Sequence, residues 1–140
     1  MTARIAYRTA AVLLLAFAAL HTFGFLTFRP QTAEGQAVLA AMNQVHFQGF
    51  SYGGFYVGFG LFVTLYLAFS AFLAWHLGDL ATRAPHAIGL LGWMFFSVQL
   101  INLVLSWNYF SIKPALFSAL VSCCLGWGAL AAQRRRVPAV

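Results

Sequence analysis

"GFYVGFGLFVTLYLAFSAFLAWHL", Gly54 to Leu77, contains no Asp, Glu, Lys or Arg. A helix crossing the hydrocarbon of a bilayer needs roughly 20 predominantly apolar residues. This stretch meets that length, and the charges on either side of it extend the reading to the whole chain. Between Arg8 and Arg29, between Arg83 and Lys113, and between Lys113 and Arg134 there is again no charged residue. The uncharged stretch from Glu34 to Asp79 is about twice the roughly 20 residues one span needs, and Gly54–Leu77 is its more apolar half. Four transmembrane helices are therefore expected, over about 8–28, 54–78, 87–109 and 114–133. They form one membrane domain spanning residues 1–140.

Composition agrees. The chain has 140 residues, of which 62% are hydrophobic and only 7% charged, against roughly 25% charged in soluble domains. A soluble domain this small exposes most of its residues and would not stay in solution with so few charges. Its lipid environment is the first partner. The net charge of +6 does not point to nucleic acid, because the arginines punctuate apolar runs instead of forming a stripe. Arg4, Arg8, Arg83, Arg134, Arg135 and Arg136 fall on one side of the spans, and Arg29 and Lys113 on the other. That asymmetry favours cytoplasmic termini. Arg4 and Arg8 before an apolar run, with Ala16-Phe17-Ala18 inside it, also resemble a secretory signal. The run continues through Phe23, Phe25, Leu26 and Phe28, so a retained anchor is expected.

Short connections make successive helices antiparallel neighbours. The expected fold is thus an all-α integral membrane protein, an antiparallel four-helix bundle. Gly78–Pro85 reads as a turn on the cytoplasmic side. The one substantial outer segment, about 30–53, opens after Arg29-Pro30, since the residue before a proline disfavours helix. Thr32 is a plausible N-cap with Glu34 in the first turn behind it. Val38, Leu39, Met42 and Val45 then recur at helical spacing, as in a short amphipathic helix or cap.

Within and around that segment, polar groups gather. His46, Tyr52 and Tyr56 precede or open the second span, and Gln99, Asn102 and Ser106 share one face of the third at i, i+3, i+7. Counting residues from each span's centre puts His21 and Asn102 at nearly one depth, with Ser118 near it. Polar side chains inside a bilayer usually point into the bundle. A pocket open to the periplasm is expected, with His21, Gln99 and Asn102 as its floor, His46, Tyr52 and Tyr56 at its mouth, and Ser106 lining it on the face of the third span. The competing explanation is hydrogen bonding between helices, with no ligand. Gly49, Gly53, Gly54 and Gly58 give two overlapping small-xxx-small spacings, expected to serve close helix packing.

Catalytic signals are missing. There is no G-x-S-x-G, no phosphate-cradling loop before a helix, and no Ser with a matched His and carboxylate. No histidine spacing of a metal site occurs, although His76 and His86 flank Asp79 in sequence. Haem would need a second imidazole at the depth of His21. The aromatics would suit a flat apolar ligand such as a quinone, and they equally suit lipid contact. Cys123 and Cys124 are adjacent and read as small apolar residues.

"HTFGF" at His21–Phe25, "MNQVHF" at Met42–Phe47 and "SYGGFYVGFGL" at Ser51–Leu61 resemble blocks of an uncharacterised family of small bacterial four-span inner-membrane proteins. The layout is more loosely similar to DoxX-like membrane proteins, in which a hydrophobic bundle acts beside redox partners. Neither resemblance transfers a catalytic residue. Three functions follow as expectations: a binder of a small or lipid-like ligand, a non-catalytic accessory subunit of a larger membrane complex or homo-oligomer, and a redox protein using haem or quinone.

Overall fold

The computed structural model describes residues 1–134. Arg135 and Arg136, which enter the orientation argument, lie outside the described residues. The chain folds as α1 (Ala3–Thr27), α2 (Ala33–Gln44), a hairpin of β1 (His46–Phe47) and β2 (Phe50–Ser51), then α3 (Tyr52–Arg83), α4 (Pro85–Tyr109) and α5 (Ile112–Arg134). Helices α1, α3, α4 and α5 are 25, 32, 25 and 23 residues long, and each is long and apolar enough to cross a membrane. This is an all-α, antiparallel four-helix bundle of the multi-pass membrane type.

Two compact units make up the chain. One combines Met1–Phe17 with the chain from Ala68 onward, and the other is Ala18–Leu67.

In the first unit, each helix buries positions three and four apart: Ala3, Tyr7, Ala10 and Leu14 on α1, and Ala71, Ala74, Gly78 and Ala81 on α3. Ile88, Gly92, Phe95 and Gln99 do so on α4, and Ala115, Ser118, Ser122, Leu125, Ala129 and Ala132 on α5. Such spacing lines one helix face, and small residues on it let backbones approach closely where lipid supplies no hydrophobic drive for association. Tyr7, at 0% exposure, is the largest fully buried side chain among the described residues. Its ring packs on the bare backbone of Gly128 and its hydroxyl on that of Gly92.

Helix α3 continues past the expected turn. Gly78 to Thr82 are helical, and the chain reverses at Ala84, whose non-helical backbone (φ −149°, ψ 67°) precedes Pro85 at the start of α4. Leu77, Gly78 and Ala81 continue the buried face. Asp79 is held by Arg8, whose Nη2 donates to Oδ1 at 2.6 Å. The Arg8 guanidinium also lies 3.7 Å from the centroid of the Trp75 ring, within cation–π range. The third span is interrupted at Gly89 (φ 37°, ψ −129°). Only glycine adopts that conformation readily, so the continuous helix begins beyond it, later than residue 87.

In the second unit, Thr32 caps α2 by accepting from the Gly35 N–H at 3.1 Å, as its position before Glu34 predicts. Helix α2 has no buried residue. The hairpin that follows pairs His46 with Ser51 and Phe47 with Phe50. Its two turn residues, Gln48 (φ 51°) and Gly49 (φ 86°), both take positive φ, the requirement of a type I′ turn.

Candidate functional site

The seven polar residues expected to line a pocket divide between the two units. Gln99, Asn102 and Ser106 belong to the first, and His21, His46, Tyr52 and Tyr56 to the second.

On α4, Gln99 (2% exposed) and Ser106 are buried, and Asn102 between them is half-buried. They continue the register of Ile88, Gly92 and Phe95, so the helix face that packs is apolar at one end and polar at the other. Helix α5 answers with Ser118 and Ser122, both buried. The Ser106 and Ser118 hydroxyls are 3.5 Å apart. That pairing sets the antiparallel register, because one turn back on α4 from Ser106 is Asn102 and one turn on along α5 from Ser118 is Ser122. Asn102 and Ser122 therefore stand level. The Ser122 hydroxyl is buried without a hydrogen-bond partner among the described residues. An unsatisfied buried hydroxyl costs about 1–3 kcal/mol. Its burial and orphan state are not visible in the sequence, although its i+4 spacing from Ser118 is.

In the second unit, His21 reaches across to α3. Its Nε2 lies 3.2 Å from the Gly60 carbonyl oxygen. A carbonyl only accepts, so Nε2 carries the proton and donates, and in the neutral ring Nδ1 keeps the lone pair. Beside it the Thr22 and Thr64 hydroxyls are 2.7 Å apart, and Thr64 also donates to the Gly60 carbonyl at 3.1 Å. Phe25 lies against His21 (ring centroids 5.1 Å apart) and covers the face of Gly60. This His21–Thr22–Thr64 knot ties α1 to α3. Thr22 carries no sequence signal beyond adjacency to His21.

The other residues of the expected mouth lie nearer the start of α3. Tyr56 is one turn before Gly60, about 6 Å along the axis, and Tyr52 about 12 Å. Both are exposed, and Tyr52 pairs with Phe55 (centroids 6.4 Å apart). His46 is exposed on the hairpin, with Nδ1 2.7 Å from the Gln44 carbonyl oxygen. His21 is thus tied to the Gly60 level and His46 to the hairpin.

The four glycines, all expected to serve helix packing, have different surroundings. Gly49 is the second turn residue of the hairpin, with open space around it. Gly54 donates its N–H to the Ser51 hydroxyl at 3.0 Å, in the first turn of α3. Gly53 is a packing glycine, since the Asn43 amide occupies the space a side chain would need. A methyl on Gly58 would meet nothing within 4 Å among the described residues. Spacing does not fix which glycine meets a neighbour, since rotation of the helix decides that.

Among the described residues no three His, Cys, Asp or Glu side chains gather as a metal-ligand group. Cys123 is exposed and Cys124 half-buried, and both are free thiols. No protein-family model, no curated protein and no solved structure matches the chain.

Proposed function

We propose that this protein binds a small or lipid-like ligand through the polar end of the α4–α5 seam, and that its role is binding and not catalysis. The observation that carries the reading is Ser122. Its hydroxyl is buried without a partner, on the seam that also carries Gln99, Asn102, Ser106 and Ser118. A ligand with one polar head and an apolar body would satisfy the hydroxyl and tolerate the apolar surroundings.

The test is a visible absorption spectrum and lipid-extract mass spectrometry on protein purified in mild detergent, comparing wild type with Ser122→Ala and Gln99→Leu. A compound enriched over bulk lipid in wild type should fall several-fold in both variants. A visible chromophore among the bound material would specify haem or quinone as its class. Equal bulk lipid in all three proteins, with Ser122→Ala gaining stability, would mean that the hydroxyl is merely unsatisfied and would sink the reading.

The same proposal includes an orientation. Arg4, Arg8, Arg83 and Arg134 flank the spans at the end carrying the termini, while Lys113 and Arg29 flank the opposite ends. Flanks rich in Lys and Arg favour the cytoplasmic side, which supports cytoplasmic termini and an α4–α5 connection facing the periplasm of a bacterial inner membrane. A C-terminal fusion to a reporter that works only in the cytoplasm should be active. Activity confined to a periplasmic reporter would reverse the orientation.

A further inference from the structure

We infer that the first turns of α1 form a binding site for one anionic phospholipid, separate from the α4–α5 seam. A groove of about 570 Å³ runs along α1 and, among the described residues, is lined by Arg4, Ile5, Arg8, Thr9, Val12 and Leu13. Its chemistry changes along its length. Arg4, Arg8 and Thr9 supply cations and a hydroxyl at the end toward the N-terminus. Val12 and Leu13 continue it as bare hydrocarbon, with Ile5 beside the cations. Ile5 and Val12 are more than half exposed. From Arg4 to Leu13 the helix rises about 13 Å, close to the depth of one leaflet's hydrocarbon, about 15 Å. A headgroup phosphate at the arginines thus leaves an acyl chain lying on Val12 and Leu13.

The cations are prepared for an anion. Arg8 cannot swing freely, because Asp79 holds Nη2 and Trp75 lies under the guanidinium plane. Its other amino group remains for a ligand. Arg4 is exposed and has no ion pair among the described residues. Among the described residues at this end of the unit, Arg4, Arg8, Arg83 and Arg134 stand against a single acidic side chain, Asp79, so arginine charge is in excess there. A guanidinium pair favours phosphate oxygens, and the excess charge favours a lipid of net negative charge over a zwitterionic one. The apolar wall distinguishes a lipid from free phosphate, which has nothing to place on Val12.

The test is native mass spectrometry of the detergent-solubilised protein titrated with phosphatidylglycerol or with phosphatidylcholine of the same acyl chains. Phosphatidylglycerol should be retained about tenfold better, and millimolar inorganic phosphate should not displace it. Arg4→Gln should cut that retention about fivefold, the weight of one basic residue at a membrane surface, and leave phosphatidylcholine unchanged. Arg83→Gln removes the same charge at the same end but outside the groove, and should leave retention within twofold of wild type. Equal losses in the two variants would reduce the effect to net charge and overturn the site. Equal retention of the two lipids by wild type, or displacement by free phosphate, would overturn it as well.

Discussion

Gly128→Leu is expected to destabilise the protein by about 3 kcal/mol or more, at or beyond the upper end of ordinary overpacking, and Tyr7→Ala in the same chain should recover much of the loss. The reason is the position of Tyr7. A Cβ on Gly128 would stand 3.0 Å from both Cε2 and Cζ of that ring, tighter than ordinary contact. A methyl would already need the ring to yield, and leucine adds three more carbons. The ring has nowhere to go. Tyr7 is fully buried, and its hydroxyl lies 2.7 Å from where a Cβ on Gly92 would be. Moving away from α5 therefore drives it into α4. In lipid the helices are held chiefly by close packing, so separation of α1 from α5 is not resisted by a hydrophobic drive. Tyr7→Ala alone should cost about 3–5 kcal/mol by analogy with other large aromatic truncations, less whatever relief comes from removing its unpartnered hydroxyl. Together the two changes exchange a large side chain on α1 for one on α5, so their losses should not add. Unfolding of the four proteins in mixed detergent checks this. Additive losses, or a Gly128→Leu protein as stable as wild type, would remove Tyr7 from the centre of the packing.

Much of the fold is legible because charge is so sparse: every long interval without Asp, Glu, Lys or Arg holds most of one of the four long helices. The cap of α2 is legible as well, because Thr32 follows a proline and precedes an acidic first turn. The shared face of Gln99, Asn102 and Ser106 follows from their spacing, which is a property of any helix. What spacing cannot supply is the rotation of one helix against another. Tyr7 stands between Arg4 and Arg8 and carries no sequence signal of burial, yet it is buried because the glycines of α4 and α5 open space for it. Asp79 reads as a loop residue because its partner, Arg8, lies 71 positions earlier. The hairpin hides behind Gln48, a non-glycine in a positive-φ position, although Gly49 after it is the residue a type I′ turn favours there.

The same dependence on rotation separates two glycines of α3. Gly78→Leu should cost several kcal/mol, as a clash with backbone that cannot be repacked, while Gly58→Leu should stay within about 0.5 kcal/mol of wild type, as an unconstrained surface change does. A Cβ on Gly78 would lie 3.0 Å from Cγ of Arg8 and 3.4 Å from the carbonyl oxygen of Arg4. The further carbons of leucine would press on the α1 backbone. Any retreat by α1 also pulls Arg8 away from Asp79 and Trp75. Gly58 has nothing within 4 Å of an added methyl, and leucine improves helix propensity there by up to about 1 kcal/mol. Both glycines lie within α3, and residue type alone does not tell them apart. Thermal unfolding of the two variants in one detergent distinguishes them. A loss at Gly58 equal to that at Gly78 would mean that the Gly58 face is covered in the purified protein. Coverage by a second chain would make the accessory-subunit reading the better one, because nothing among the described residues lies within 4 Å of a methyl on Gly58.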